Sequence, residues 1–274
     1  MPYIFYQIMW YPEVTTTQLA RRGYTWSRDS HTLPDFVRDT PDPLLSQYCD
    51  FVHTYAWIWR SIPYIEDVYI TNSITFNHLH NSSDIDVLIV VTPGKMRYAR
   101  LFSWMICTVL RIKNFWRKGK SFCLSFYIDS DTQNLYPVSL KPLDPYLVYR
   151  IAHAVPIYRR NTLAPSLHTS NNRVRTYIPG YTWQMIDLGI DVSRWQNAFK
   201  TRCERRNIVN MCINQIIKII RLPIVLYKKK RLWAKAWWMI IDDTMLKFHI
   251  DQRKSYAIKF KKAIQELCDT LPPE

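Results

Sequence analysis

Glycine is scarce: the 274-residue chain has only 5, against 11 Trp, 18 Tyr and 11 Phe. That excludes collagen-like order and flexible glycine-rich tracts, and with 48% hydrophobic residues the chain can fill a sizeable folded core. Also missing is any C-x-x-C pair among the six cysteines, Cys49, Cys107, Cys123, Cys203, Cys212 and Cys268, so a zinc knuckle is not expected. Cys107 and Cys123 stand inside apolar runs and read as small core residues in a reducing compartment, which makes the cytoplasm the expected location. No apolar run reaches the roughly 18 residues of a membrane span, because Arg111, Lys218, Arg221 and Lys235 interrupt the best stretches. The opening Met1 to Tyr6 lacks the features of a secretory leader, and no internal repeat is visible.

Positive charge is what the chain has in excess. With 37 Lys and Arg against 22 Asp and Glu, the formal charge is +15, which attracts polyanions: nucleotides, RNA, DNA or an anionic membrane surface. The same charge fits a generally basic surface, so it selects no single partner.

Residues 1–40 show no sustained period and read as an irregular lead. From Pro43 the residues Leu44, Tyr48, Phe51, Tyr55 and Ile58 recur at helical spacing, predicting one amphipathic helix that ends near Ile62-Pro63. Strands are expected at Val68–Thr71, Ile85–Val91 and Phe122–Ile128, where β-branched and aromatic residues cluster, with a helix over Met96–Arg111 and another over Pro145–Tyr158. This order predicts an α/β (α+β) fold: a mixed sheet flanked by helices, spanning residues 41–160. Residues 161–190, rich in Asn, Ser, Thr and Pro, read as a linker or long loop, and residues 191–274 as a helical C-terminal region.

The chemistry concentrates between the first two strands. Asp84 and Asp86 stand two apart, so on a strand both side chains emerge on one face. Such a pair suits a magnesium ion, which takes oxygen ligands and leaves positions for water and substrate phosphates. Upstream, Thr71-Asn72-Ser73 ends a strand and opens a turn whose backbone N–H groups and hydroxyl suit phosphate oxygens. The bland alternative is a solvated loop end, with Ser82, Ser83 and Asp84 as turn residues.

Strand, Ser73 turn, spacer, Ser83-Asp84-Ile85-Asp86 and an apolar run together resemble the polymerase-β-like nucleotidyltransferase superfamily, whose usual form is Gly-Ser, a spacer and Asp-x-Asp. The resemblance extends to uncharacterised bacterial nucleotidyltransferase-domain proteins through Ile62-Pro63, Arg100-Leu101-Phe102, Phe122-Cys123-Leu124-Ser125 and Leu246-Lys247-Phe248-His249, with Asp251 and Arg253. It implies that Asp84 and Asp86 ligate Mg2+ or Mn2+ and that Ser73, with Asn72 and Ser83, holds a nucleoside triphosphate. The implied activity moves a nucleotidyl group to an unknown acceptor. Two departures stand out: Asn72 occupies the usual Gly position, and Phe122–Ile128 carries no third carboxylate. Asp129 is the nearest stand-in for that catalytic group, and equally a turn residue.

Other features stay open. His78 and His80 are a metal pair or simply loop polarity. Arg97 and Arg100 are available to neutralise phosphate charge or belong to an exposed helix face. Basic residues from Arg202 to Lys235, interleaved with Trp233, Trp237 and Trp238, suit RNA, a membrane surface or a solvated helix. A catalytically impaired nucleotide- or nucleic-acid-binding module and a peripheral membrane protein therefore remain alternatives to the enzyme, and the sequence leaves any protein partner unknown.

Overall fold

β2, Ile85–Val91, is buried at every position, as its nearly unbroken run of β-branched and aliphatic side chains requires. It pairs antiparallel with β1, Ile65–Thr71, on one side and parallel with β3, Phe122–Asp129, on the other. The computed structural model describes residues 43–76, 79–113, 119–141, 143–177, 194–205, 237–241 and 244–250, with 254, 257, 258, 261 and 262. The lead at 1–40 lies outside the described residues. With β4, Val155–Arg159, β5, Trp237–Ile241, and β6, Met245–Ile250, the strands form one mixed sheet of order β4-β1-β2-β3-β6-β5. Helices flank it, giving the α+β architecture that the sequence predicts.

Because side chains alternate across a sheet, each face has its own core. One face receives α1 (Pro43–Tyr55), α2 (Trp57–Ser61) and α4 (Met96–Val109), burying Tyr48, Trp59, Tyr98 and Cys107 against Ile85, Val87, Ile89 and Val91. The other receives α5, Pro145–Ala152, whose Tyr146, Leu147 and Tyr149 pack on Tyr69, Leu88, Val90, Phe126 and Ile128. Asp144 caps α5 by accepting a hydrogen bond from the Leu147 amide at 3.0 Å, and Pro145 occupies the first turn.

Four expectations need correction. The first helix breaks at Ala56 into α1 and α2 rather than running to Ile62. The helix expected over Pro145–Tyr158 stops at Ala152, and Val155–Arg159 turns back as edge strand β4, where Pro156 is tolerated. Residues 161–177 are not a free linker: α6, Leu167–Ser170, and α7, Val174–Tyr177, bury Leu167 and Val174 in the α5 face. The C-terminal region is not wholly helical, since Trp237–Ile241 and Met245–Ile250 are paired strands. Their aromatic and β-branched content outweighed a helical period.

α8, Arg194–Arg205, docks on the β1–β4 edge. There the buried Lys200 ammonium donates to the Ile65 carbonyl at 3.1 Å, and Glu204 accepts from Arg160 and from the Tyr64 amide. Residues 178–193 and 206–236, which hold much of the basic and tryptophan-rich stretch, lie outside the described residues. Among the described residues no helix is long and apolar enough to cross a membrane.

Candidate active site

The site forms where β1 ends and β2 begins. Thr71 is paired with Asp86 across the antiparallel ladder, so the turn after β1 lies beside the Asp84–Asp86 pair. Asn72 makes that turn with φ of 65°, a left-handed conformation that Asn tolerates better than other side-chain-bearing residues. This explains how Asn fills a position where the resembling family uses Gly. Asn72 also does what Gly cannot: its Nδ2 donates to Asp86 Oδ2 at 2.5 Å. Ser73 opens the short helix α3, Ser73–Phe76, directly after that turn; its side chain lies outside what the structure describes.

The loop carrying Asp84 is pinned from the opposite face. Tyr48 of α1 directs its hydroxyl at the His80 and Ser83 carbonyls, 3.0 and 2.8 Å away. Ser83 Oγ accepts from the His80 amide at 2.9 Å, so this hydroxyl closes its own turn rather than facing a ligand. Gly119, at φ of 79°, presses against the same loop: a Cβ there would fall 2.0 Å from the Asn81 carbonyl oxygen. A tight backbone packing thus fixes where Asp84 begins. His80 is exposed on this loop, and its partner in the His-x-His reading, His78, lies outside the described residues.

The third member is a cysteine. Cys123 is the β3 partner of Asp86, and one ligand atom each from Asp84, Asp86 and Cys123 lies within 4.8 Å of the others. Burial, reinforced by the negative charges of Asp86 and Asp84, holds the Cys123 thiol well above its usual pKa. Its Sγ also lies 3.3 Å from Ser125 Oγ. Two carboxylates and a thiol fit a divalent cation. Soft sulfur beside hard oxygen suits Zn2+ better than Mg2+ or Mn2+, both of which prefer all-oxygen surroundings.

Asp129 does not join them. β2 and β3 run parallel, with Asp86 opposite Cys123 and Asp129 opposite Val91. Asp129 therefore sits at the far end of the strand, about 20 Å along it at the usual rise per residue. There its Oδ2 accepts from the Gly94 amide at 3.0 Å, as a turn residue does. Arg100 is also misplaced for phosphate. It lies on α4 beside Tyr127, on the face opposite the carboxylates, and burial lowers its pKa.

Sequence reasoning missed Cys123 because it looked for a carboxylate on β3, and it missed two cations, Arg150 and Lys247, buried on the same sheet face as Asp86. Arg150 Nη2 donates to Thr71 Oγ1 at 2.9 Å, one residue before the Asn72 turn. A separate cavity of about 260 Å³, between α5 and α7 and lined by Leu147, Val174, Arg173 and Tyr177 among others, holds none of the residues that the sequence singles out. No protein-family model, curated protein or solved structure matches the chain.

Proposed function

We propose that the chain is a metal-dependent nucleotidyltransferase. In the proposed reaction an acceptor hydroxyl attacks the α-phosphorus of a nucleoside triphosphate, a new P–O bond forms, pyrophosphate departs and the hydroxyl proton passes to solvent or a nearby base. The observation that carries this reading is the contact between Asn72 and Asp86. It joins the turn after β1 to the carboxylate pair at the start of β2, the arrangement that the sequence resemblance implies. Asp84 and Asp86 hold the divalent cation, Mg2+ or Mn2+, beside Cys123, and Ser73 with the turn amides holds phosphate oxygens. The bound cation supplies charge neutralisation on the phosphoryl oxygens. The free thiols of Cys107, Cys123 and Cys203 support a reducing, cytoplasmic setting.

The reading is tested by incubating the full chain with each labelled triphosphate, Mg2+ or Mn2+ and candidate acceptors, beside the Asp84→Ala, Asp86→Ala double variant. Product from the natural protein alone is the expected result; equal signal from both proteins sinks the enzymatic claim. A second reading, nucleotide binding without turnover, is favoured by one observation: β3 presents the thiol of Cys123 where a third carboxylate would serve as base. Triphosphate binding by the natural protein with no product would select it.

A further inference from the structure

The side of α4 turned away from the sheet carries a row of apolar side chains. Towards the sheet the helix buries Met96, Ala99, Ser103 and Cys107, a spacing of three to four residues that fixes one inward face. The same spacing brings Leu101, Trp104, Met105 and Val109 together on the opposite side. These four are 37%, 48%, 43% and 76% exposed. The row begins after the first turn, where Tyr98 packs against Tyr64 with ring centres 5.7 Å apart. Of the eight large apolar side chains exposed among the described residues, four belong to this one helix, while Tyr136, Leu163, Phe199 and Ile258 stand on other segments. Single exposed apolar residues are ordinary, whereas a contiguous row marks a surface that something covers.

The charge around this row has one sign. Between Asp86 and Asp129 the sequence holds eight Lys or Arg and no Asp or Glu. Of the eight, Arg100 turns inward beside Tyr127. Arg97 stands one turn before Leu101, Arg111 is exposed just past the helix, and Lys113 reaches back to bring its Nζ 5.4 Å from the Trp104 ring centre. Cations therefore stand at both ends of the row. Leu, Met and Val side chains have nothing to offer a phosphate or a base edge, which counts against nucleic acid. A second copy of the chain docked α4 on α4 would set the same cations against each other. An anionic bilayer answers both features at once: acyl chains take the apolar row, headgroups take the cations, and tryptophan sits at the level between.

We propose that α4 docks the protein on an anionic membrane surface, with Trp104 and Met105 at the centre of the contact and Arg97, Arg111 and Lys113 against the lipid headgroups. The helix lies in the surface and does not cross it: its 14 residues reach about 20 Å, short of the roughly 30 Å hydrocarbon core. Binding is reversible, because four side chains make a small apolar contact and the headgroup attraction is screened by salt. The cluster of Asp84, Asp86 and Cys123 belongs to the other face of the sheet, so docking through α4 leaves it uncovered. The inference is independent of the reaction that the cluster carries out.

The test is flotation of the full chain with vesicles of phosphatidylcholine alone and of phosphatidylcholine with phosphatidylserine, at low and high salt. Two double variants run beside it: Trp104→Gln with Met105→Gln, and Arg111→Gln with Lys113→Gln. Circular dichroism and the unfolding midpoint check that each folds as the natural protein does; should the first pair not fold, Leu101→Gln with Val109→Gln replaces it. The natural protein should float with the phosphatidylserine vesicles at low salt and stay behind with phosphatidylcholine alone. The apolar pair should lower partitioning about tenfold, and the charge pair about tenfold at low salt with little further loss at high salt. No flotation of the natural protein overturns the proposal. So does flotation unchanged in the apolar pair, since another segment then does the docking. Two further measurements name the competitors. Single-stranded RNA bound by the natural protein and lost in the charge pair, without flotation, would give the surface to nucleic acid. A dimer in sedimentation that the apolar pair dissociates, again without flotation, would give it to a second copy. Product formation from triphosphates decides the reading of the carboxylate cluster separately.

Discussion

The two faces of the sheet are built from the same strands and differ in what they bury. Towards α1, α2 and α4 the packing is aromatic and aliphatic, with Trp59 meeting Phe122 edge-on at 5.1 Å between ring centres. Towards α5 the apolar core is interrupted by Asp67, Thr71, Asp86, Arg150, Lys247 and His168, all buried. Polar groups in a core cost stability unless paired; the other face buries fewer of them, among them Ser103, whose hydroxyl donates to the Ala99 carbonyl at 2.6 Å. The α5 face is the one that carries the cluster of Asp84, Asp86 and Cys123.

That division breaks if a change on the apolar face acts on the ligands. Trp59→Ala should have the largest effect on folding, a loss of about 3–5 kcal/mol by denaturant unfolding, from the lost burial and the cavity left beside Phe122. Below its unfolding transition, Mn2+ affinity should be unchanged; a parallel loss of Mn2+ binding would contradict the separation of roles.

A smaller effect should come from acid on the polar face. Burial lowers His168 to about pH 4, below the unfolded value of about 6.5. Between those values the unfolded chain takes up a proton that the folded one refuses, so stability present above about pH 6.5 is lost as pH falls towards 4, by roughly 3 kcal/mol in all. Asp67, raised by burial to about 6, has the opposite sign. Its folded carboxyl holds a proton that the unfolded one has released, so acid relieves its burial. His168→Asn should flatten the loss in acid unfolding curves measured from pH 7 to 4, and an unchanged slope would sink the assignment. The smallest effect is expected at Asp129→Asn, about 0.5–1.5 kcal/mol from a weakened turn hydrogen bond to Gly94. Product formation and Mn2+ binding should stay as in the natural protein, and their loss would return Asp129 to the site.

β1, β2, β3 and α4 were legible to within a few residues, because their apolar runs are bounded by turn residues and match one period only. β4 was not, since Pro145 to Tyr158 is largely apolar and reads as helix until the chain reverses after Ala152. Asp84 and Asp86 stood out in the sequence through their spacing together with the preceding strand, the Ser73 turn and the apolar run that follows. Cys123 did not, because a thiol in an apolar strand has the signature of core, and its place beside the carboxylates is visible only from its register with Asp86. Arg150 and Lys247 were invisible for a related reason: charged residues are expected outside, and nothing local marks the two that are not.

The register of β3 has one more consequence. Between Asp86 and Leu88 the pairing slips, so that three residues of β3 are spent against two of β2. Cys123 and Ser125 lie within contact of one another, Leu124 packs on the opposite face, and Phe126 then joins the α5 face without the usual alternation. The extra residue works as a phase shifter: it lets one strand show sulfur to the carboxylates and, from its very next beat, an aromatic ring to the buried cations. Chain length is usually negotiable in loops and inert in strands. Here a single insertion or deletion among residues 123–125 would exchange the two faces of everything downstream, and would be felt as a change of chemistry before it was felt as a change of shape.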